Sequence, residues 1–312
     1  MPGELAPIFY LSPHADDVAF SCAGAVRADV LAGHEVTLIT VFLSGAAAEA
    51  RRAEDERAAA LLGCRHLCLD IFDSPDRPEI RGRLGVFVPF GPPHLGIASE
   101  VVARLRWYLT KPSIVRAPLA VGAHIDHRIV HEAARSLALI EGHQLAYYED
   151  QPYSLTPYAL GRRLVGMSAQ LRLPDEKPGQ PLPGTQRATP RAERAAHRDS
   201  YRHWPLLRSA PPGVRFLVCQ RLASLAYAAD LSGHRPGRTP VLRPQLVEVS
   251  AHQALIADAI AAYASQWPLF AASPQALHQQ LQTYAQSLSE NPGVYQRLWF
   301  DESLSLEPRP AG

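Results

Sequence analysis

Charge of one sign is what this sequence most lacks. Its 31 Lys and Arg residues meet 30 Asp and Glu, a formal net charge of +1. That balance removes the general case for binding nucleic acid or a membrane surface. Cysteine is scarce: Cys22, Cys64, Cys68 and Cys219 are too few and too unevenly spaced for a disulfide framework. They read as packing residues of a reducing compartment, so a cytoplasmic location is expected. No apolar run approaches the roughly 20 residues of a membrane span. Met1-Pro2-Gly3-Glu4 leads straight into the first strand with no basic leader region, so no signal peptide is expected. There is no internal repeat and no GxGxxG after the first strand, which argues against a dinucleotide reader. What remains is a globular composition, 47% hydrophobic and 20% charged, in 312 residues. Such a chain can bury a sizeable core.

Strand and helix signals alternate through the first half. Ile8 to Leu11 is an apolar run, and Val18, Cys22, Val26 and Val30 recur at helical spacing after it. Val36 to Leu43 is nearly all apolar, as a parallel strand covered on both faces must be. The next helix is predicted to end at Leu62, with Gly63 as a left-handed cap. His66 to Leu69 reads as a strand, residues 72–95 as an irregular Pro-rich loop, and Val101 to Leu109 as a helix. Val241 to Val249 reads as a late strand. This progression predicts an α/β fold, a Rossmann-like and mostly parallel sheet with helices on both faces.

Two polar clusters stand where strands end and helices begin. The first is His14, Asp16 and Asp17; the second is His124, Asp126 and His127, after the run Ile114 to Ala120. Strand ends of one open sheet converge, and ligands bind there. A helix N-terminus tolerates carboxylates because its free N–H groups and dipole favour negative charge. Catalytic zinc sites take three His or carboxylate ligands and leave one position open. His and Asp from the first cluster with His from the second meet that count. N-capping is the plain alternative for Asp16 or Asp17, but it leaves His14 and the matching second cluster unexplained. His131, four residues after His127, would make a helical two-His pair, yet the HExxH context is missing.

At these residues the chain resembles the LmbE-like, or PIG-L, family of zinc-dependent N-deacetylases. His14-Ala15-Asp16-Asp17 and His124-Ile125-Asp126-His127 carry the likeness. It extends to Arg51-Arg52-Ala53-Glu54-Asp55, Tyr147 to Tyr153, and Ala262-Tyr263-Ala264-Ser265-Gln266. The resemblance implies zinc, or another divalent transition metal, on His14, Asp17 and His127. It implies Asp16 as general base, and His124 as oxyanion stabiliser or acid with its ring held by Asp126, a pairing that would raise the His124 pKa. Arg51 would contact a substrate hydroxyl. The implied reaction removes an acetyl group from an N-acetylated amino sugar or its conjugate. Hydrolysis of another amide or ester, or a non-catalytic metal-containing sugar- or nucleotide-binding protein, are the alternatives. The expected partner is a small-molecule amino-sugar conjugate, with no nucleic acid and no transmembrane segment; homo-oligomerisation stays open. The chain departs from the family at Ala23-Gly24, where a glycine pair is common. It departs again at Gly122, where the mycothiol-type enzyme carries a functional tyrosine.

The expected organisation is a catalytic core over residues 1–165, a basic Pro-rich insertion or lid over 166–216, and a C-terminal part, 217–312, completing the same domain. Residues 172–216 hold eight prolines and nine basic residues against four acidic ones. That composition predicts little core. Its charge suggests a role at the active-site mouth, with Arg191, Arg194 and Arg198 on one helical face; a distal surface loop is the alternative. Arg51 and Arg52 could equally be a solvated helix face. Glu149 and Asp150 read as either a strand-end turn or groups supporting the site.

Overall fold

The computed structural model describes residues 5–77, 86–88, 90–172, 182–202, 204, 207, 209–231 and 239–304. Eight strands form one sheet in the order β3-β2-β1-β4-β5-β8-β7-β6. They are β1 (Ile8–Ser12), β2 (Val36–Phe42), β3 (Arg65–Ile71), β4 (Ile114–Pro118), β5 (Gln144–Tyr148), β6 (Gln170–Leu171), β7 (Val241–Glu248) and β8 (Tyr295–Asp301). The first five run parallel. β8 is antiparallel to both β5 and β7, and β6 adds an edge parallel to β7.

Every residue of β1 and β2 is buried, because helices cover both faces. Alternation along β1 divides the core. Phe9 and Leu11 face one layer, formed with α3 (Pro92–Leu105), α4 (Ile125–Glu141) and α5 (Ala159–Gly166). Ile8 and Tyr10 face the other, formed with α1 (Asp17–Leu31), α2 (Ala48–Leu62), α8 (Gln253–Ala261) and α9 (Pro274–Gln286). As expected, α2 ends on Gly63 at φ 79°, a left-handed conformation that glycine adopts without a Cβ clash.

The loop expected over residues 72–95 is shorter than anticipated. Pro92 opens α3, whose first turn tolerates Pro because its N–H groups lack helical partners. The basic stretch departs further from expectation. It contains a helix, α6 (Pro190–Arg202), packed with α7 (Pro212–Leu231). Tyr201, Cys219, Leu222 and Ala226 join Phe87 and Ala123 in a third apolar cluster. Composition missed this because the buried positions Glu193, His197 and Tyr201 recur every four residues inside a polar background. A buried ion pair between Arg162 of α5 and Asp230 of α7 (2.6 Å) pins these helices to the core. Among the described residues no helix is long and apolar enough to cross a membrane.

Candidate metal centre

The order of strands reverses between β1 and β4, and the loops at their C-terminal ends carry the two sequence clusters. This is the topological switch point at which open α/β sheets bind ligands. His14 follows β1, Asp73 follows β3, His124 and His127 follow β4, and Asp150 follows β5.

Asp17 sits in the first turn of α1. Its Oδ2 lies 3.3 Å from His14 Nδ1 and 3.4 Å from His127 Nε2, and accepts the His14 backbone N–H at 2.8 Å. The far nitrogen of each histidine meets a buried carboxylate. His14 Nε2 is 2.9 Å from Asp126 Oδ2 and 3.2 Å from Asp73 Oδ1, while His127 Nδ1 is 2.6 Å from Asp150 Oδ1. Ring nitrogens of His14, His124 and His127 also come within 4.8 Å of one another, as do ligand atoms of His14, Asp73 and Asp126.

Burial opposes a charge on His14, yet Asp73, Asp126 and Asp17 hold its pKa well above the ordinary histidine value. His127 is likewise raised against its burial, by Asp17 and Asp150. Asp17 is lowered despite burial, chiefly by His127 and His14. Five carboxylates (Asp16, Asp17, Asp73, Asp126 and Asp150) thus crowd a pocket that holds Arg51 and Arg77 as its permanent cations.

Asp16 is 6% exposed and has φ 107°, and its side chain makes no capping hydrogen bond. The N-cap alternative is therefore not what the geometry displays. A non-glycine residue in this backbone region is strained, a condition that clusters at functional sites. Burial, followed by the charge of Asp17, raises the Asp16 pKa well above the usual carboxylate range. Arg51 donates to Asp73 at 3.1 Å and feels the charge of Asp16. Arg52 pairs instead with exposed Asp70, away from the cluster.

One expected pairing does not form. The Asp126 carboxylate accepts from Arg77, from His14 and from the Ser74 backbone N–H at 3.1 Å, not from the His124 ring. His124 is the N-cap of α4, and its Nδ1 accepts the Asp126 backbone N–H at 3.3 Å. That bond assigns the ring proton to Nε2. Burial, then the neighbouring His14, pushes the His124 pKa down to about 3, the reverse of the expected direction. His124 is thus a neutral N–H donor. The cause lies in the loop after β3, which brings Arg77 and the Ser74 amide to Asp126.

Asp73 and Arg77 are absent from the sequence-based site. They lie in an irregular Pro-containing loop with no periodicity to single them out. Of the strand-end pair, Asp150 enters the site and also accepts the Val121 N–H at 2.8 Å. Glu149 turns away to Arg297, Trp299 and Tyr284. His131 stacks on Tyr147 at 4.3 Å and donates to the Pro118 carbonyl, so no helical histidine pair forms. Gly122, at φ 88°, lies under Tyr153: a Cβ there would stand 2.8 Å from the Tyr153 side chain. No tyrosine fits at 122. The basic face of α6 does not reach the site either. Arg194 lies over Tyr227, and Arg198 and Arg202 lie over Phe216, all on α7. Glu54 and Asp55, on the helix that carries Arg51, are buried. Glu54 accepts from Ser265, and Asp55 accepts from Thr40 and Tyr263, joining the third and fifth resembling segments.

Residues 9–138 match the PIG-L family, described as GlcNAc-PI de-N-acetylase. A 2'-N-acetylparomamine deacetylase of Streptomyces fradiae is 32% identical over 163 residues, 46% of this chain and 56% of that protein. The match thus spans little more than half the length of that curated relative. In fold, the chain is similar to a deacetylase of teicoplanin biosynthesis solved with bog (TM-score 0.61, 18% identity, covering 94% of this chain and 97% of that one). It is also similar to the A40926 pseudoaglycone deacetylase (TM-score 0.59, 17% identity, covering 95% and 96%). Residues 9–138, which carry both histidine–aspartate clusters, are thus similar to the PIG-L, or LmbE-like, family.

Proposed function

We propose that this protein is a metal-dependent hydrolase that removes the acetyl group from an N-acetylated amino sugar or its conjugate. The observation that carries the reading is Asp17 Oδ2 set 3.3 and 3.4 Å from nitrogens of His14 and His127, each of whose other nitrogen meets a carboxylate. Ligand bonds near 2 Å place neighbouring donors of a tetrahedral centre roughly 3.3 Å apart. Carboxylates behind both rings are the usual support of metal-bound histidine. The surplus of buried acid also favours a cation. His14, Asp17 and His127 would hold a divalent ion, with zinc the first choice and other divalent transition metals compatible with the donors. Such an ion supplies a Lewis acid that polarises an amide carbonyl and acidifies water.

The rest is done by the chain. Asp16, beside Asp17 but outside the ligand set, takes the proton from the attacking water. Neutral His124 donates its Nε2–H to the oxygen that becomes negative, the role of an oxyanion-hole donor. Asp126 orients His14, and Asp150 orients His127. Arg51, held by Asp73, faces a substrate hydroxyl. Residues 1–165 form the catalytic core, 166–216 an insertion, and 217–312 complete the same domain. The four free thiols suit the cytoplasm. The substrate reading is supported by the Streptomyces fradiae relative, named for an N-acetylated amino sugar.

The test is metal analysis of the purified chain followed by an amine-release assay on N-acetylated amino sugars. One divalent ion per chain is expected, with activity abolished by chelator and restored by zinc. Asp17→Ala should lose both ion and activity. Full turnover by a metal-free protein would sink the reading.

A further inference from the structure

A cavity of about 20 Å³ lies between α4, α5 and the residues that precede α3 and β7. A water needs roughly 10–15 Å³ of such space, so there is room for one particle slightly larger than water. Arg128, His131 and Arg135 of α4 and Arg163 of α5 line it, with Glu132 as the one acid among the described lining residues. Phe90 and Met167 add apolar wall.

Arg128 and Arg163 are only 3% and 4% exposed. Several other buried arginines have carboxylates: Arg162 pairs with Asp230 at 2.6 Å, Arg297 with Glu149 at 2.5 Å and Arg135 with Asp301 at 3.4 Å. Among the described residues, neither Arg128 nor Arg163 forms an ion pair. Arg163 donates Nε–H to the Leu119 carbonyl at 2.8 Å, and its two Nη groups have no hydrogen-bond partner among those residues. Arg128 lies over the Phe90 ring at 5.3 Å, and its Nη1 reaches the Val88 carbonyl at 3.4 Å, a long bond.

A guanidinium carries donors only, so these N–H groups call for an acceptor. Burial, then the charge of Arg163, pushes the Arg128 pKa down to about 10. Burial, then the same charge, holds His131 well below the ordinary histidine value, so it stays neutral with Nδ1 bonded to the Pro118 carbonyl at 2.9 Å. Asp230 attracts both arginines from farther off but is already paired with Arg162. Two unpaired guanidiniums at one small cavity repel each other, and an anion between them replaces that repulsion with attraction. Water would satisfy the donors and leave the charge. Sulfate or phosphate, with five heavy atoms, is too large for the space.

We propose that the cavity is a binding site for one monoatomic anion, a halide of chloride's size, held by the Nη groups of Arg128 and Arg163. The site is separate from the donors of the metal centre but stands behind them. Arg128 follows His127, and Leu119, which accepts from Arg163, donates its N–H to Tyr148, two residues before Asp150. The anion holds α4 against α5 whether or not the deacetylase reading stands.

The test is the position of bromide in crystals of the full-length, metal-loaded protein grown with sodium bromide. An anomalous peak is expected between Arg128 and Arg163. In solution, exchanging sodium gluconate for sodium chloride at constant ionic strength should raise Tm by about 2 °C once chloride exceeds its Kd roughly tenfold. The rise should persist after the metal is stripped with chelator, because a halide on the metal would leave with it. Arg163→Met should abolish both peak and rise. Met167→Phe, which fills the cavity and keeps both arginines, should do the same, and Arg128→Lys should keep part of the rise. Absence of the bromide peak from the cavity overturns the proposal whatever the variants do, and leaves the space to water. A peak with no rise in Tm marks binding at crystal concentration only and also overturns it. So does a rise that vanishes with the metal, or one that acetate produces and halides do not.

Discussion

The strand-end loops and the α6–α7 pair handle charge in opposite ways. Around His14 and His127, carboxylates are buried, crowded and turned inward, and their pKa values move in both directions. On α6, arginines lie outward across the aromatic rings of α7, while His197 and Tyr201, with Trp204 just past the helix end, line a cavity beside Tyr153. The first region concentrates charge where chemistry needs it. The second spends its charge on its own packing and lines its cavity with uncharged side chains. A basic stretch is therefore a poor guide to a site: a guanidinium over a ring is at home in a helix interface, whereas five buried carboxylates favour positive charge beside them.

The sharpest contrast is tested at Asp16. Asp16→Asn should keep the metal and lower turnover by about 10²–10⁴, the usual worth of a general base. Release of the metal instead would exchange its role with that of Asp17. The same change should stabilise the metal-stripped protein. The folded Asp16 pKa lies above its unfolded value, so the native state keeps a proton that the unfolded chain sheds. Stability contributed by Asp16 is then fully present at low pH and lost as pH rises above about 4. Melting curves of the stripped variant should run above wild type in that range and converge with it at lower pH.

Asp150→Asn should weaken metal affinity by about 10- to 100-fold, through loss of the support behind His127. A competition titration against a chelator reads this directly. Unchanged affinity would reduce Asp150 to a backbone anchor for Val121. In the second region, Asp230→Ala should cost about 3–5 kcal/mol, because it strands buried Arg162. Denaturant unfolding measures that loss. If metal affinity under native conditions falls as well, the two regions are less separable than their charge patterns imply. The smallest effect is expected for Arg198→Ala, on the order of 0.5–1 kcal/mol from the contact with Phe216, with turnover unchanged. A clear rise in KM there would break the comparison by restoring the arginines to substrate binding.

The two halves of the chain also differ in legibility. β1, β2, α2 with its Gly63 cap, and β7 follow from runs and periods that local packing imposes. The six histidines and aspartates of the two motifs were visible because strand ends concentrate them. Asp73 and Arg77 were not, since an irregular loop leaves no period to read. Asp150 stood in view beside Glu149, but which of the two faced inward depended on how β5 lay between β4 and β8.

The amino-acid sequence by itself determined the alternation of strand and helix, the placing of both motifs where strands end and helices begin, and the chemical kinds of group placed there. These depend on local propensity and on burial of contiguous segments. Tertiary structure alone decided the partners: Asp126 with Arg77 and His14 instead of His124, arginines on α7 instead of at a site mouth, and an aromatic cavity beside His127. Each of these is a choice among side chains distant in sequence. Electrostatics and packing act through space, and no local pattern encodes which remote group arrives within 3 Å.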